Sequence, residues 1–485
     1  MTPLFIVGLY FAILIGLALY GLHRVAMLYW YFRYSRRSAS PVVPRLDPEE
    51  VPPVTVQLPL YNEVYVTERL VKAVSHLRYP RSRLRIQILD DSTDHTQDIA
   101  RSAATVLAAA GFSVTYHHRN DRHEFKAGAL KEGMERSPDD FFAIFDADFI
   151  PPPDFLERTM PHFRDPSVGM VQARWGYVNE DYSLLTRLQA LLLDGHFVVE
   201  HSARYFSGRF FNFNGTAGVW RRQAIEEAGG WQGDTLTEDL DLSYRAQMQG
   251  WRFVFVPNLV CPSELPVDLH ALRQQQHRWT KGSIQVCRKL LPQIWVSALP
   301  LRVKVEATCH LTANVNYLLM AALAVLTPPS LVLRYRIGLD GLAWWEGSLV
   351  LFSVISIGFF YTVTQTEQGR RWTARLAHIP LIIAFGIGMS VTCARAVLDA
   401  LLARKSAFVR TAKYGIESTR DAWTDKSYRS LGPGIPIAEA CLACYLAASL
   451  GALVTLKNWG ALPLMLLFTA GFSYVAALAV LHAQR

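Results

Sequence analysis

The chain has 485 residues, 51% of them hydrophobic and 19% charged, with 49 basic residues against 41 acidic ones and a formal net charge of +8. This composition excludes intrinsic disorder, a collagen-like repeat and a disulfide scaffold. The positive mean hydropathy is high for a purely soluble protein, and membrane proteins gather Lys and Arg on their cytoplasmic flanks, so the basic excess is accounted for by a lipid bilayer and calls for no nucleic-acid partner.

From Leu4 to Leu22 no residue is charged, a run long enough for a membrane-spanning helix. His23, Arg24, Arg33, Arg36 and Arg37 follow it. A signal peptide carries its positive charges before the apolar run, so residues 1–39 are expected to form an anchor with the N-terminus outside. Pro41, Pro44, Pro52 and Pro53 mark a linker, and residues 40–300 read as a cytoplasmic domain. Segment 54–60 is a predicted strand, followed by Tyr61-Asn62-Glu63 and a helix from Val66 to Leu77. A second strand at 84–89 ends in Asp90-Asp91-Ser92; then come a helix from Thr96 to Ala110 and a strand at 113–117. A buried strand at 141–145 ends in Asp146-Ala147-Asp148. Alternating strands and helices predict a mostly parallel α/β sheet, in which ligands bind at the carboxyl ends of strands.

Residues 301–485 read as a membrane region, with apolar stretches near 308–333, 345–364, 377–400, 435–456 and 461–481. The last two, separated by Lys457, Asn458, Trp459 and Gly460, predict a hairpin. A full crossing at 377–400 would place Arg404, Lys405, Arg410, Lys413, Arg420, Lys426 and Arg429 outside, against the positive-inside rule. Arg370, Arg371 and Arg375 precede that stretch, and Arg395 and Asp399 lie within it, where a charge is costly. Segment 377–402 is therefore expected to be an interfacial or re-entrant helix, with one span before the soluble domain and four after it. Six cysteines, including a Cys441-Leu442-Ala443-Cys444 run with no second pair, read as free buried thiols in a reducing compartment.

Asp146 and Asp148 point the same way on an extended backbone. Two carboxylates held together repel unless a cation joins them, and hard divalent ions favour carboxylate and phosphate oxygens. The pair therefore points to a metal holding a diphosphate. No phosphate-binding glycine loop or dinucleotide fingerprint competes. Further along, Thr237-Glu238-Asp239 precedes a helical pattern, and Gln275-Gln276-His277-Arg278-Trp279 follows it.

This succession of Asp, Asp-x-Asp, Thr-Glu-Asp and Gln-x-x-Arg-Trp, flanked by apolar spans, resembles the membrane-integrated processive glycosyltransferases of family 2, which include cellulose, hyaluronan and chitin synthases. Phe125-Lys126-Ala127-Gly128-Ala129-Leu130, Val171-Gln172-Ala173-Arg174-Trp175 and Phe213-Asn214-Gly215-Thr216-Ala217-Gly218 narrow the likeness to cellulose-synthase-like glucomannan mannosyltransferases and β-glucan synthases over residues 54–290. It departs after Trp279, where Thr280-Lys281-Gly282-Ser283 is more similar to bacterial relatives.

The resemblance implies a GT-A type nucleotide-sugar-binding α/β domain and an inverting transfer of hexose from UDP-glucose or GDP-mannose to a β-linked glycan, coupled to export. It implies that Asp91, with Asp90 beside it, contacts the nucleotide and that Lys126 approaches the diphosphate. Asp146 and Asp148 would hold the donor with Mg²⁺ or Mn²⁺. Asp239 would be the general base, with Glu238 capping, orienting or reacting. Gln275, Arg278 and Trp279 would face the acceptor and the leaving diphosphate, with His277 a spacer and Trp175 a packing residue. Phe408, Thr411 and Lys413 in 403–430 are similar to the gating loop of cellulose synthases, although Arg410 stands where that motif has Val. A single-addition glycolipid transferase is the alternative. The bacterial inner membrane is the expected location, with accessory export subunits as further partners. Only His482, Ala483, Gln484 and Arg485 follow Leu481, so no attached cyclic-dinucleotide-binding domain is expected.

Overall fold

The computed structural model describes residues 3–35, 50–369, 377–404, 408–428, 436–455 and 459–484. Several segments singled out above lie outside them: Pro41 and Pro44, Arg36 and Arg37, Arg370, Arg371 and Arg375, Lys405, Arg429, and Lys457 with Asn458.

Strand β1 (Val54–Leu60) lies inside a seven-stranded sheet, parallel to β2 (Leu84–Asp90) on one side and β4 (Phe141–Ile144) on the other. Strand β3 (Ser113–His118) extends the sheet past β2. Past β4 come β6 (Gly218–Arg221), β5 (Val168–Tyr177) and β7 (Arg252–Ser263), with β6 antiparallel to both neighbours and β5 parallel to β7. The chain runs outward from β1 to β3 and restarts on the other side with β4, so the carboxyl ends of β1 and β4 flank a crevice at the reversal. Strands β1 to β4 match the sequence expectation to within a residue, whereas β5, β6 and β7 are additional to it.

Both faces of the sheet are covered, as parallel sheets require. Val54, Val56 and Leu58 of β1 are fully buried with Ile86 and Ile88 of β2 on one face. On the other face Gln57 donates to Gln87 at 3.0 Å, and Gln87 donates to the Gly133 carbonyl at 2.9 Å. A Cβ at Gly133 would stand 2.7 Å from the Gln57 amide nitrogen. This glycine lets the helix Phe125–Glu135, which begins with Phe125 and Lys126, lie directly on the strands.

Among the described residues five helical segments are long and apolar enough to cross a membrane: Pro3–Ser35, Val315–Arg336, Asp340–Glu367, His378–Leu401 and Leu462–Ala483; Ile437–Gly451 is apolar but shorter. Their ends sort to two levels. Arg209 of the α/β domain stacks 3.5 Å from the Trp30 ring centroid, Arg273 pairs with Glu439, and the Leu269 amide donates to His482 at 3.1 Å. At the opposite level Arg334 pairs with Glu346 at 2.7 Å and the Tyr10 hydroxyl donates to the same carboxylate, all three essentially buried.

The helix His378–Leu401 touches the α/β domain with both halves. Ile382, Phe385 and Met389 share an apolar cluster with Leu185, Leu188, Leu269 and Leu272, whereas Val397 and Ala400 share one with Ile284. Between them Gly388 crosses Gly471, where either added Cβ would collide with a carbonyl oxygen of the partner helix. Cys261 and Cys393 are buried, but Cys441 and Cys444 are exposed on an apolar helix, which corrects the expectation of buried thiols throughout. Both face outward because the two positions, three apart, share the side of Ile437–Thr455 turned away from the bundle.

Overpacking at a tight crossing costs about 1–3 kcal/mol. Gly471→Val is therefore expected to lower the melting temperature of the detergent-solubilised protein by several degrees, whereas Gly451→Ala, with nothing near its Cβ, leaves it unchanged.

Candidate active site

The acids at the strand ends converge on one cavity. Its lining includes seven carboxyl groups (Glu63, Asp91, Asp146, Asp148, Glu238, Asp239 and Glu264) and five cations (Arg122, Lys126, Arg278, Arg410 and Lys413). Asp91 follows β2 and is clamped by Arg119 through two bonds of 2.7 and 2.6 Å. Asp90, expected beside it, turns inward instead. It is fully buried, accepts from the Tyr116 hydroxyl at 2.7 Å and the Ser92 amide at 2.9 Å, and does not line the cavity. Period-two alternation along the strand end separates the two neighbours.

Past β4, the Asp146 amide is fixed by the Thr216 hydroxyl at 2.9 Å, and its carboxylate holds Lys126, which also donates to the Gly215 carbonyl at 2.8 Å. Burial pulls the Lys126 ammonium down, but Asp146, Glu238 and Asp239 outweigh it, so its pKa lies above the ordinary value. Asp148 pairs with Lys413 at 2.8 Å. Asp146 and Asp148 thus face one cavity, each matched to a lysine from a different part of the chain. Among the described residues no three Asp, Glu, His or Cys side chains form a closed metal cage. An open pair of carboxylates suits a hard divalent ion that completes its shell with phosphate oxygens.

Asp239 stands in the first turn of the helix Glu238–Met248, where its carboxylate accepts the Leu240 amide at 2.8 Å. Burial and the neighbouring Glu238 push its pKa up to about 7. Two glycines let three segments meet here. Gly215, at φ +81°, would place a Cβ 3.1 Å from Asp239 Oδ2, and a Cβ on Gly282 would come within 2.5 Å of Thr237 Cγ2.

Gly282 belongs to the helix Leu269–Val296, which begins at a cap where Asp268 accepts from His270 and Ala271. Gln275, Arg278 and Trp279 project from the same helix into the cavity. Burial lowers the Arg278 pKa against the pull of Glu238 and Asp146. His277 is more than a spacer: it lies 3.5 Å from Asp399, tying this helix to His378–Leu401.

The segment 408–428 covers the cavity. Phe408 stacks on Phe125 with ring centroids 5.0 Å apart, and the Arg278 guanidinium sits 4.9 Å from the Phe408 ring. Arg278 also donates to the Val409 carbonyl at 3.1 Å and the Thr411 hydroxyl at 3.4 Å. Glu264 accepts the amides of Tyr414 and Gly415 at 2.8 and 2.9 Å, and its carbonyl takes Lys413. Phe408, Thr411 and Lys413 are therefore all brought to Asp148 and Arg278.

A second cavity shares Trp175, Asn214, Thr237, Asp239, Gln275 and Trp279 with the first and continues to Tyr20, Tyr317, Tyr361 and Phe385 of the apolar helices. Trp175, read from sequence as a packing residue, lines both cavities, 6.5 Å from Trp279 between ring centroids. Sequence reasoning also missed His196, Glu200 and Arg204 beside Asn214. His196 contacts Asn214 at 3.1 Å and Glu200 at 3.3 Å, Arg204 joins Glu200 to Glu306, and Glu306 meets His23 of the first helix. Their only sequence signal is the four-residue spacing of His196, Glu200 and Arg204, which puts them on one helical face.

Residues 52–282 match the family described as glycosyltransferase like family 2. The chain is 44% identical over 248 residues to glucomannan 4-beta-mannosyltransferase 7 of Arabidopsis thaliana, covering 50% of this chain and 45% of that one. It is 44% identical over 271 residues to glucomannan 4-beta-mannosyltransferase 1 of Oryza sativa subsp. japonica, covering 54% and 52%. It thus spans about half the length of the curated relatives it matches. The structure is similar, with a TM-score of 0.52 and 20% identity, to the mannosyltransferase PcManGT of Pyrobaculum calidifontis, solved with GDP-Man and Mn²⁺, over 82% of this chain and all of that one. With the acids gathered at the strand ends and the Thr-Glu-Asp and Gln-x-x-Arg-Trp segments beside them, residues 52–282 form a glycosyltransferase domain of family 2, with a GT-A-like fold, joined to a bundle of apolar helices.

Proposed function

We propose that the protein transfers hexosyl units from a nucleotide sugar to a β-linked glycan, with inversion at the anomeric carbon. The observation that carries this reading is the position of Asp239, at the junction of an acid-and-cation-lined cavity and an aromatic-lined cavity leading among the apolar helices. The first suits a nucleoside diphosphate-sugar and the second a sugar chain, whose pyranose faces stack on Trp279 and Trp175. An acceptor hydroxyl beside Asp239 loses its proton to that carboxylate as its oxygen bonds the anomeric carbon, and the bond to the diphosphate breaks. Arg278 and Lys126 receive the charge that grows on the departing diphosphate. Asp148 and Asp146 would hold Mg²⁺ or Mn²⁺, which when bound adds positive charge at the same diphosphate. Residues Phe408, Thr411 and Lys413 would cover the donor as a gating loop.

The same reading makes the chain an integral membrane protein with its catalytic domain in the cytoplasm of a bacterial inner membrane, working processively and passing the glycan along the second cavity, with accessory export subunits as further partners. The helix 377–402 would lie at the interface, since both its halves touch the catalytic domain. A single cysteine introduced at Ser418 is then expected to react with an impermeant maleimide only in inside-out vesicles; labelling of intact cells would place 403–430 outside.

The direct test is incorporation of labelled GDP-mannose or UDP-glucose by membranes carrying the protein. The expected product is a high-molecular-weight glycan cut by β-mannanase or β-glucanase, formed with Mg²⁺ or Mn²⁺ and abolished by excess chelator. A product extracted into organic solvent would identify a glycolipid transferase, and incorporation unaffected by chelator would remove the metal from Asp146 and Asp148.

Asp239→Asn is expected to lower turnover at least ~10³-fold while donor binding measured by calorimetry stays nearly unchanged. Because the raised pKa belongs to a base that must be ionised, kcat/KM in the wild type should fall as pH drops through about 7 and level off above it. A flat profile from pH 5.5 to 8.5 would assign the proton to another group.

A further inference from the structure

The cations of the covering loop meet the first cavity in different ways. Lys413 is committed to Asp148 and to the Glu264 carbonyl, and Glu264 fixes the next two amides. Arg410 is placed but not saturated. Its Nη1 lies 3.3 Å from Glu63 Oε2, yet both atoms are buried and neither has a hydrogen-bond partner among the described residues. The guanidinium rests 4.1 Å from the Tyr428 ring centroid, and the Tyr428 hydroxyl is held in turn by Asp94. Stacking thus sets the plane of the group while its N–H donors stay largely uncommitted beside the cavity that Glu63 and Arg410 both line.

That place is the phosphate end of the cavity. Glu63 lies within electrostatic reach of Asp148 and Asp146, and Arg278 feels the same Glu63. A guanidinium carries five donors in a fixed fork that matches phosphate oxygens, and a flat stacked pose preserves that fork. Burial lifts the Glu63 pKa to about 8 against the pull of Arg410, and a largely neutral acid at this distance without a hydrogen bond is a weak hold by comparison with a charge-assisted bidentate contact.

We propose that Arg410 is a diphosphate ligand carried by the loop, parked against Glu63 while the donor is absent and transferred to the donor's diphosphate when it enters. This rests on the donor site proposed above. Glu63 is then a positioning residue, which keeps the guanidinium at the mouth rather than across the site. The residue that departs from the gating motif supplies a contact that the Val found there in the resembling loop cannot make.

The test is equilibrium binding by the full chain in detergent, with Mn²⁺, of GDP, GMP, UDP and UMP. The nucleoside monophosphate reports the base and ribose contacts and the integrity of the fold; the ratio of diphosphate to monophosphate affinity reports the phosphate contacts. Arg410→Gln is expected to lower that ratio about tenfold with monophosphate affinity unchanged, and Arg410→Lys to restore part of it. At pH 8.5, where Glu63 is ionised, Glu63→Gln is expected to leave monophosphate binding unchanged and to tighten diphosphate binding, because the parked guanidinium is released. An unchanged ratio in Arg410→Gln, or equal weakening of diphosphate and monophosphate, overturns the role of Arg410 while the donor site stands. A wild-type chain that binds neither nucleoside diphosphate overturns the donor site itself and Arg410 with it.

Discussion

Seven carboxyl groups around one cavity repel one another unless each is solvated, protonated or countered, and the way this protein counters them organises the rest of the catalytic domain. Asp91 is held by Arg119, Asp146 by Lys126, Asp148 by Lys413, Glu63 by Arg410, and Glu264 by Arg69 and two loop amides. The partners come from the loop after β3, the helix that follows it, the segment after the membrane-length helix His378–Leu401, and the helix after β1. Buried pairs add little net stability, because desolvation offsets most of their attraction, but removing one partner costs about 3–5 kcal/mol. Their contribution is therefore positional: the acids dictate where each of these distant segments must lie.

The same crowding makes the site responsive. A donor arriving with a divalent cation replaces one set of counter-charges by another, so Lys126, Lys413 and Arg278 are already at the place where the diphosphate needs them. In the corner around Asp239, burial and the neighbouring Glu238 outweigh the pull of nearby Lys126, so its carboxyl is poised with a pKa of about 7. Gly215 and Gly282 make this corner possible by removing the two side chains that would otherwise hold the converging segments apart.

Much of this was legible in the sequence because parallel strands are apolar runs, and an acid that ends such a run has one place to go. Asp146 and Asp148 are found on that ground alone, and the succession of motifs adds Asp91, Asp239, Arg278 and Trp279. Asp90 was not separable from Asp91 by motif, although alternation along β2 distinguishes a residue facing the sheet from one facing the cavity. Glu63, Arg119 and Arg410 were silent because their partners are set by tertiary contact: Glu63 and Arg410 are 347 positions apart yet 3.3 Å apart in space. Trp175 and His277 were undervalued for the same reason, since their neighbours arrive from other helices. The helix His378–Leu401 was ambiguous because length and composition are the same for a helix that crosses a bilayer and one that lies along it.

The buried set of Tyr10, Arg334 and Glu346 has a consequence for how the apolar helices hold together. A buried charge without a partner is costly in an apolar surrounding. Arg334 ends one apolar helix and Glu346 begins the next, and only a short turn separates the helices Val315–Arg336 and Ala343–Glu367. Paired across that turn at 2.7 Å and buried, the two charges counter each other within the hairpin and fix its two helices against one another. The hydroxyl of Tyr10 donates to the same carboxylate, so one buried contact far from the chemistry ties three apolar helices together.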